Sequence, residues 1–193
     1  IAHLSSHSML NPHQSAYIKS HSTETVLLSL YDHLIQQISQ QQLTGLFLLD
    51  RSAAFDTIDH TTLLQRLNIW FGIDITALSW LSSYLSSRTF AVSALGSFSP
   101  HFTAPHGVPQ GSVLGPLLFI LYTTSLSTVI SSTPVKHHLY ADDTRLYISF
   151  KPHLFSDASS CLQSTFKAVS AWMTANLWTM NGLQIERFVR RLC

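Results

Sequence analysis

An acidic pair between two short apolar runs constrains the fold of this chain more than any other feature. Asp142 and Asp143 follow Tyr140 and Ala141 in the middle of residues 137–148. This arrangement predicts a tight β-hairpin with both carboxylates at its turn. Because Asp commonly hydrogen-bonds its own backbone at turns, the pair also has a purely structural explanation. Taken alone, it indicates a turn before it indicates any chemistry.

The composition predicts a folded domain with a hydrophobic core. Of the 193 residues, 46% are apolar and only 11% are charged, whereas soluble domains carry roughly 25% charged residues. These values argue against disorder, and a surface so poor in charge indicates either a piece of a larger protein or marginal solubility of the isolated chain. The net charge of +1 lacks the basic excess that is typical of nucleic-acid-binding domains.

The cysteines, histidines and apolar runs lead us to expect a soluble, intracellular chain. Cys161 and Cys193 form no disulfide framework and imply no disulfide partner, and we see no signal peptide at the start. The longest apolar run, residues 114–122, is far too short to span a membrane. The histidines lack the spacing of a zinc site, and we expect His137 and His138 to lie on the surface.

Apolar residues at helical spacing predict a series of helices. The first begins after Ser22 as its N-cap and carries Val26, Leu30, Leu34 and Ile38 at helical spacing. We expect the residues before it, 1–21, to be irregular or extended. Further helices are predicted over residues 61–71, 75–86, 112–127 and 154–176.

Strands and loops fill the intervals between these helices. Residues 46–49 form a continuous apolar run that predicts a strand buried on both faces, and the run delivers Asp50 at its end. Residues 90–102 predict a hairpin, and residues 106–111 predict a loop because they contain two glycines and a proline. With neither repeat nor linker, the pattern predicts one domain of mixed α and β structure.

Three local motifs then need one explanation. The first runs over residues 49–60 and contains Asp50, the second runs over residues 107–116, and the third is the acidic hairpin. In this order and at these separations they resemble motifs A, B and C of reverse transcriptases. From Asn11 to Met173 the amino-acid sequence resembles the reverse transcriptases of vertebrate LINE-type (non-LTR) retrotransposons.

This resemblance implies an α+β fold. We expect a right-hand polymerase palm with an antiparallel sheet packed by helices, partial fingers and no thumb. The chain would be a single reverse transcriptase domain fragment, 1–193. Within it we assign residues 1–45 to partial fingers and a leading helix, 46–180 to the palm with the three motifs, and 181–193 to a divergent tail.

The chemistry that the resemblance implies is transfer of a nucleotide to a primer 3′-hydroxyl. Two Mg²⁺ ions about 3.5–4 Å apart clamp the attacking and leaving oxygens of such a displacement, and Mg²⁺ prefers carboxylate and phosphate oxygens. By resemblance, Asp50 and Asp142 are the metal ligands and catalytic residues. Asp143 is the neighbouring catalytic acid, with a more variable role.

The resemblance also implies a nucleotide-binding set. Phe55 matches the position whose ring crowds the sugar 2′ carbon and so favours deoxynucleotides; a core aromatic is the alternative. Gln110 and Gly111 match the loop that lies against the incoming nucleotide and template base, where glycine permits close approach of the backbone. Gly111 could equally mark the start of a helix.

The other polar residues of the first motif have simpler explanations. We interpret Asp56 and Asp59 as helix caps or solvent-facing acids, and His60 as structural rather than catalytic.

Departures from the family pattern bear on present activity. Arg51 stands where an apolar residue is expected, and Ile18 stands where the family has a basic residue, with Lys19 beside it. Gln184 occupies the place of a lysine proposed to protonate pyrophosphate, which an amide cannot do. The residues from Arg187 onward match nothing in the family.

The sequence therefore predicts the core of an RNA-directed DNA polymerase from a retrotransposon, with an RNA template, a DNA primer and dNTPs as partners. The nucleus is its expected location by family analogy. The alternative is a catalytically silent remnant of a truncated or decaying element, which at most binds nucleic acid. A Mg²⁺-dependent phosphohydrolase would also use paired acids, but it leaves the glycine-rich loop unexplained.

Overall fold

The largest sheet that the structure describes is four-stranded and antiparallel. We analysed a computed structural model, which describes residues 2–51, 54–178 and 180–186. The strands of this sheet are β1 (Leu43–Arg51), β6 (Lys136–Tyr140), β7 (Asp143–Phe150) and β8 (Met180–Glu186), and their order across the sheet is β6-β7-β1-β8.

Strand β1 lies inside the sheet, where β7 pairs with one of its edges and β8 with the other. Leu46 and Leu49 are buried, and Phe47 contacts Phe166 of the last helix edge-to-face at 5.2 Å between ring centroids. A continuous apolar run suits a strand that has neighbours on both edges and covered faces. The predicted strand is thus confirmed, and it begins three residues earlier than residue 46.

Strand β8 is an element that the sequence did not predict. Its backbone pairs with β1, with Gln184 opposite Leu48. The strand crosses the boundary between residues 180 and 181, where we placed the end of the palm and the start of the divergent tail. The single-domain assignment with its subdivisions stays a prediction, and residues 187–193 lie outside the described ones.

Two long helices accompany the sheet. Helix α2 (Thr23–Ser39) begins after Ser22, the predicted N-cap, whose side chain accepts from the Thr25 amide as part of a capping box. Helix α6 (Phe155–Ala175) follows a short 3₁₀ turn, Pro152–Leu154. Its buried face repeats at helical spacing, as expected, and comprises Ala158, Leu162, Thr165, Val169, Trp172 and Met173.

Helices and short hairpins make up the middle of the chain. The bounds are α3 (His60–Ile69), α4 (Ile75–Leu85), β2 (Thr89–Phe90), β3 (Ser93–Ala94), β4 (Ser97–Phe98) and β5 (Phe102–Thr103). Strand β2 pairs with β5, and β3 pairs with β4 inside that pair, so the predicted hairpin is two nested ladders. Gly72, at φ +60, follows α3 and ends it.

The amino-terminal prediction was wrong in part. Residues Ala2–Ser6 form a short helix, α1, in a segment that we expected to be irregular or extended. The His3 ring hydrogen-bonds to the Phe71 carbonyl 3.0 Å away. Such a tertiary contact, between residues far apart in sequence, can stabilise a helix whose own sequence gives no periodic signal.

Helix α5 (Gly115–Ser131) begins three residues later than predicted, and the start of its sequence explains why. The Ser112 hydroxyl donates to the Pro109 carbonyl at 2.6 Å and accepts from the Gly115 amide at 3.0 Å. This local bonding holds residues 112–114 in a turn before the helix. None of the described helices is long and apolar enough to cross a membrane.

The chain divides into two compact units. Unit 1 comprises Ile1–Met9 and Ala53–Tyr122, and unit 2 comprises Leu10–Ser52 and Thr123–Cys193. Unit 2 contains the large sheet, and unit 1 contains α3, α4 and the short hairpins. Helices combined with antiparallel sheets confirm the predicted α+β class.

Candidate active site

The acidic hairpin has the predicted form. Tyr140 at the end of β6 pairs with Asp143 at the start of β7, which leaves Ala141 and Asp142 as a two-residue turn. Ala141 has a left-handed φ of 52°, a conformation that costs a non-glycine residue roughly 1 kcal/mol. Asp142 is half-buried and Asp143 is exposed. One carboxylate therefore lies in the turn itself, and the other belongs to the first residue of a strand.

Asp50 reaches the same end of the sheet along β1. Leu49 pairs with Thr144 of β7, so the next residue outward on each strand is Asp50 on β1 and Asp143 on β7. Antiparallel pairing thus brings the backbones of the three predicted catalytic acids to one end of the sheet. The side chains of Asp50 and its neighbour Arg51 lie outside the described ones.

A segment near the amino terminus runs along the free edge of β6. The Ser15 amide donates to the Leu139 carbonyl at 3.0 Å, and the Leu139 amide donates to the His13 carbonyl at 2.7 Å. Gln14 forms an isolated parallel bridge with Leu139, and its side chain reaches the Ala141 amide. This segment supports the hairpin that carries Asp142.

The prediction that His137 lies on the surface was wrong. Its side chain is 4% exposed, and its Nε2 lies 2.6 Å from the Ser127 hydroxyl. Side chains of β6 alternate, and those of His137 and Leu139 fall on the buried face. His138 is half-buried, and its Nε2 is 2.8 Å from the Ser15 hydroxyl.

Burial explains the electrostatics of this pair of histidines. Burial, with smaller contributions from the nearby His13 and His138, lowers the pKa of His137 from 6.5 to about 4. Burial, with the Arg145 guanidinium next in importance, lowers the pKa of His138 to about 4 as well. Both imidazoles are therefore neutral at pH 7.

Tyr17 lies close enough to the acidic hairpin to interact electrostatically with Asp142 and Tyr140. The position of Tyr17 in the sequence did not predict this. Burial raises the pKa of the Tyr17 phenol, with additional contributions from Asp142 and Tyr140. Its side chain is nevertheless 56% exposed, and its backbone has a left-handed φ of 61°.

In unit 1, the first and second motifs are joined by backbone hydrogen bonds. The Gly107 amide donates to the Ile58 carbonyl at 2.8 Å, and the Val108 amide donates to the Phe55 carbonyl at 2.9 Å. The His60 Nε2 donates to the Gly107 carbonyl at 2.7 Å. This bond is consistent with the structural role that we assigned to His60.

Two acids of the first motif, Asp56 and Asp59, lie where we expected them. The Asp59 side chain caps α3 by accepting from the Thr62 amide at 2.7 Å. Asp56 is exposed, and its two carboxylate oxygens accept from the side-chain amide (Nε2) of Gln110 at 3.1 and 3.2 Å. This bond fixes the side chain of one predicted nucleotide-binding residue, Gln110, against the first motif.

Phe55 stacks on Phe119 of α5, with ring centroids 4.3 Å apart and planes 13° from parallel. Phe119 is fully buried, whereas Phe55 is half-buried. One face of the Phe55 ring is thus packed while part of the ring stays accessible. This geometry suits a rigid wall beside a ligand and is also compatible with the core-aromatic alternative.

The two glycines of the second motif differ in their surroundings. Both have left-handed φ values, +88° at Gly107 and +76° at Gly111. A Cβ at Gly107 would lie 2.9 Å from the Asp56 Cα, while a Cβ at Gly111 would meet no atom within 4 Å. Gly107 therefore permits the two motifs to touch, and the space beside Gly111 is open.

Asp50, Asp142 and Asp143 belong to unit 2, whereas Phe55, Gln110 and Gly111 belong to unit 1. Among the side chains that the structure describes, no cluster of three or more His, Cys, Asp or Glu could hold a metal ion. Asp50 is not among those side chains, so the predicted ligand pair Asp50 and Asp142 stays a prediction.

Comparison with solved structures agrees with the predicted architecture. The chain superposes on apo telomerase from Candida tropicalis with a TM-score of 0.66 at 14% sequence identity, covering 96% of this chain and 35% of that one. The resemblance shows a shared fold, and it supports a partial polymerase palm and fingers.

Sequence comparisons define the family. A profile described as reverse transcriptase (RNA-dependent DNA polymerase) matches residues 1–186. The chain is 31% identical over 169 residues to the probable RNA-directed DNA polymerase from transposon BS of Drosophila melanogaster, which covers 85% of this chain. It is 30% identical over 183 residues to the Pol polyprotein from the type-1 retrotransposable element R2 of Popillia japonica, which covers 92% of this chain.

This chain belongs to the reverse transcriptase family, and its relatives confirm the prediction of a non-LTR retrotransposon type. It spans 18% of the length of the transposon BS protein and 24% of that of the R2 protein. Both relatives come from insects, so they do not support the vertebrate origin that we predicted.

We expect Gly107→Ala to destabilise unit 1 more than Gly111→Ala does. Both substitutions place a side chain at positive φ, at a cost of roughly 1 kcal/mol. Only the first adds a clash with backbone atoms of Asp56, which raises the total loss to about 2–4 kcal/mol. Urea denaturation of the two variants measures the difference, and equal losses would contradict the close contact at Gly107.

We expect the free energy of unfolding to fall as the pH drops from about 6.5 to about 4. The unfolded histidines bind protons in this range while the folded His137, with a pKa of about 4, does not. The lowered pKa of His137 corresponds to a loss of roughly 3 kcal/mol in the free energy of unfolding over this pH range. His137→Gln should flatten the pH dependence measured by denaturation, and the exposed control His153→Gln should leave it unchanged. A profile for His137→Gln as steep as the wild type's would count against a buried neutral His137.

Proposed function

We propose that this chain is the polymerase core of a LINE-type retrotransposon reverse transcriptase, which extends a DNA primer on an RNA template with dNTPs. The observation that carries the proposal is the register of β1 and β7. It brings Asp50 of the first motif beside the acidic pair of the third, in a chain whose family match spans all three motifs.

The proposed metal ligands are Asp50 and Asp142, with Asp143 as the adjacent acid. The donor set suits Mg²⁺, a hard ion that takes one or two carboxylates and completes its shell with phosphate oxygens and water. Asp143 is exposed and Asp142 half-buried, so the hairpin is accessible from solvent. Two bound Mg²⁺ ions would supply activation of the primer hydroxyl and neutralisation of the leaving pyrophosphate.

The proposed nucleotide-binding residues are Phe55, Gln110 and Gly111. The stack on Phe119 makes the Phe55 ring a rigid wall, which is what steric exclusion of a 2′-hydroxyl requires. The bond to Asp56 orients Gln110, and the open space beside Gly111 allows a nucleotide or template base to approach the backbone.

Partners and location follow from this proposal. The chain would bind an RNA template, a DNA primer and dNTPs, and it would act in the nucleus. Its net charge of +1 provides little general attraction for phosphates. We therefore expect the isolated chain to bind primer–template weakly and to need low ionic strength.

We expect the chain to extend a DNA primer annealed to an RNA template when dNTPs and Mg²⁺ are supplied at low salt. Asp142→Asn should reduce the rate by roughly 10²–10³-fold, the loss typical when one group that stabilises the transition state is removed. The matched control is Asp32→Asn, because Asp32 is exposed on α2, and it should retain full activity.

Circular dichroism on the same preparations shows whether each variant is folded. A folded wild-type chain that binds primer–template but extends nothing would overturn the polymerase proposal in favour of a silent remnant. Gln184, in place of the expected lysine, would then be a candidate cause.

We expect Phe55→Val to raise incorporation of ribonucleotides relative to deoxynucleotides, because a smaller side chain leaves room for the 2′-hydroxyl. The measurement is the ratio of kcat/KM for UTP to that for dTTP. Phe71→Leu, at a buried aromatic of unit 1 outside the proposed nucleotide-binding set, serves as the control and should lower stability without changing this ratio. If Phe55→Val affects stability alone, Phe55 is a core aromatic.

A further inference from the structure

The side chain of Gln14 joins the amino-terminal segment to the turn of the acidic hairpin. Gln14 is only 2% exposed. Its Oε1 accepts from the Ala16 amide at 2.9 Å and from the Ala141 amide at 3.1 Å. Ala141 immediately precedes Asp142 and has the left-handed φ of 52°. The buried side-chain amide of Gln14 thus hydrogen-bonds to the backbone of Ala141, the residue with left-handed φ in the turn.

The Gln14 end of this connection is anchored. The Gln14 backbone amide donates to the Asn11 carbonyl at 3.1 Å, and the backbone amide of the adjacent Ser15 donates to the Leu139 carbonyl at 3.0 Å. These bonds fix the backbone of Gln14 beside β6, and burial restricts the conformations of its side chain. In a buried site of low dielectric, a hydrogen bond from such a fixed acceptor is stronger than one exposed to water.

The bond to Ala141 offsets the conformational cost of the turn. A non-glycine residue at positive φ needs surrounding interactions to hold it there. A small rotation at residue 141 would displace the carboxylate of residue 142, and catalytic groups need placement to within about 0.5 Å. The position of Asp142 therefore depends on a hydrogen bond between two residues that lie 127 positions apart in the chain, Gln14 and Ala141.

We propose that Gln14 is a positioning residue of the polymerase site, which holds the Ala141-Asp142 turn so that Asp142 can act as a metal ligand. This inference rests on the proposed function. Gln14 acts through the turn, and it has no assigned contact with primer, template or nucleotide.

The first test uses the wild-type chain and needs no activity. A scalar coupling across the hydrogen bond, between the Ala141 amide nitrogen and the Gln14 side-chain carbonyl carbon, should be visible by NMR. Exchange of the Ala141 amide with solvent should be about tenfold faster in Gln14→Met, which keeps the side-chain length but lacks the acceptor. The core amide of Leu146 should exchange as in the wild type. Absence of the coupling would overturn the inference even if the variant failed to fold.

The second test measures primer extension by Gln14→Met and by the control Gln163→Met, an exposed position on α6. We expect kcat to fall about tenfold in Gln14→Met with KM for primer–template unchanged, and the Mg²⁺ concentration for half-maximal rate to rise. A folded Gln14→Met variant with unchanged kcat and Mg²⁺ dependence would overturn the inference. If the wild type itself extends nothing, the proposed function fails, and the NMR result still decides whether Gln14 holds the turn.

Discussion

The antiparallel pairing of β1 with β7 is the constraint on which the rest of the structure depends. Its register matches Leu43 with Phe150 at one end and Leu49 with Thr144 at the other. Because side chains alternate along a strand, a slip of one residue would move every side chain of the shifted strand to the opposite face of the sheet. The same slip would separate Asp50 from the acidic hairpin. Burial of the core and assembly of the three acids thus require a single register.

The hairpin in turn depends on polar groups that are buried beside it. Gln14 holds the turn, and Ser127 and Ser15 hydrogen-bond to His137 and His138. Buried polar groups are costly unless they are hydrogen-bonded, so these bonds favour one geometry of the hairpin. The neutral state of the two histidines couples the stability of this support to pH. A turn that must place a carboxylate accurately is therefore held by long-range hydrogen bonds in addition to its own backbone.

Unit 1 explains why the second motif contains glycine at two separate positions. Gly107 lies against the backbone of Asp56, where any side chain would clash, so it permits the contact between the first two motifs. Gly111 has open space beside it and so leaves room for a ligand. One glycine serves packing, and we propose that the other serves access, although both adopt positive φ. The proposed role of Gly111 rests on membership in the reverse transcriptase family, since open space beside a glycine would let a nucleotide or template base approach the backbone.

The sequence by itself determined the helices with clear caps and periodicity, the buried strand that ends at Asp50, the acidic hairpin and the family. These features depend on neighbouring residues, whose spacing is visible in the chain. Only the tertiary structure decided the burial of His137, the helix at residues 2–6, strand β8 and the bond from Gln14 to Ala141. Each depends on a partner distant in sequence, and hydrogen bonding and burial between such partners leave no local pattern.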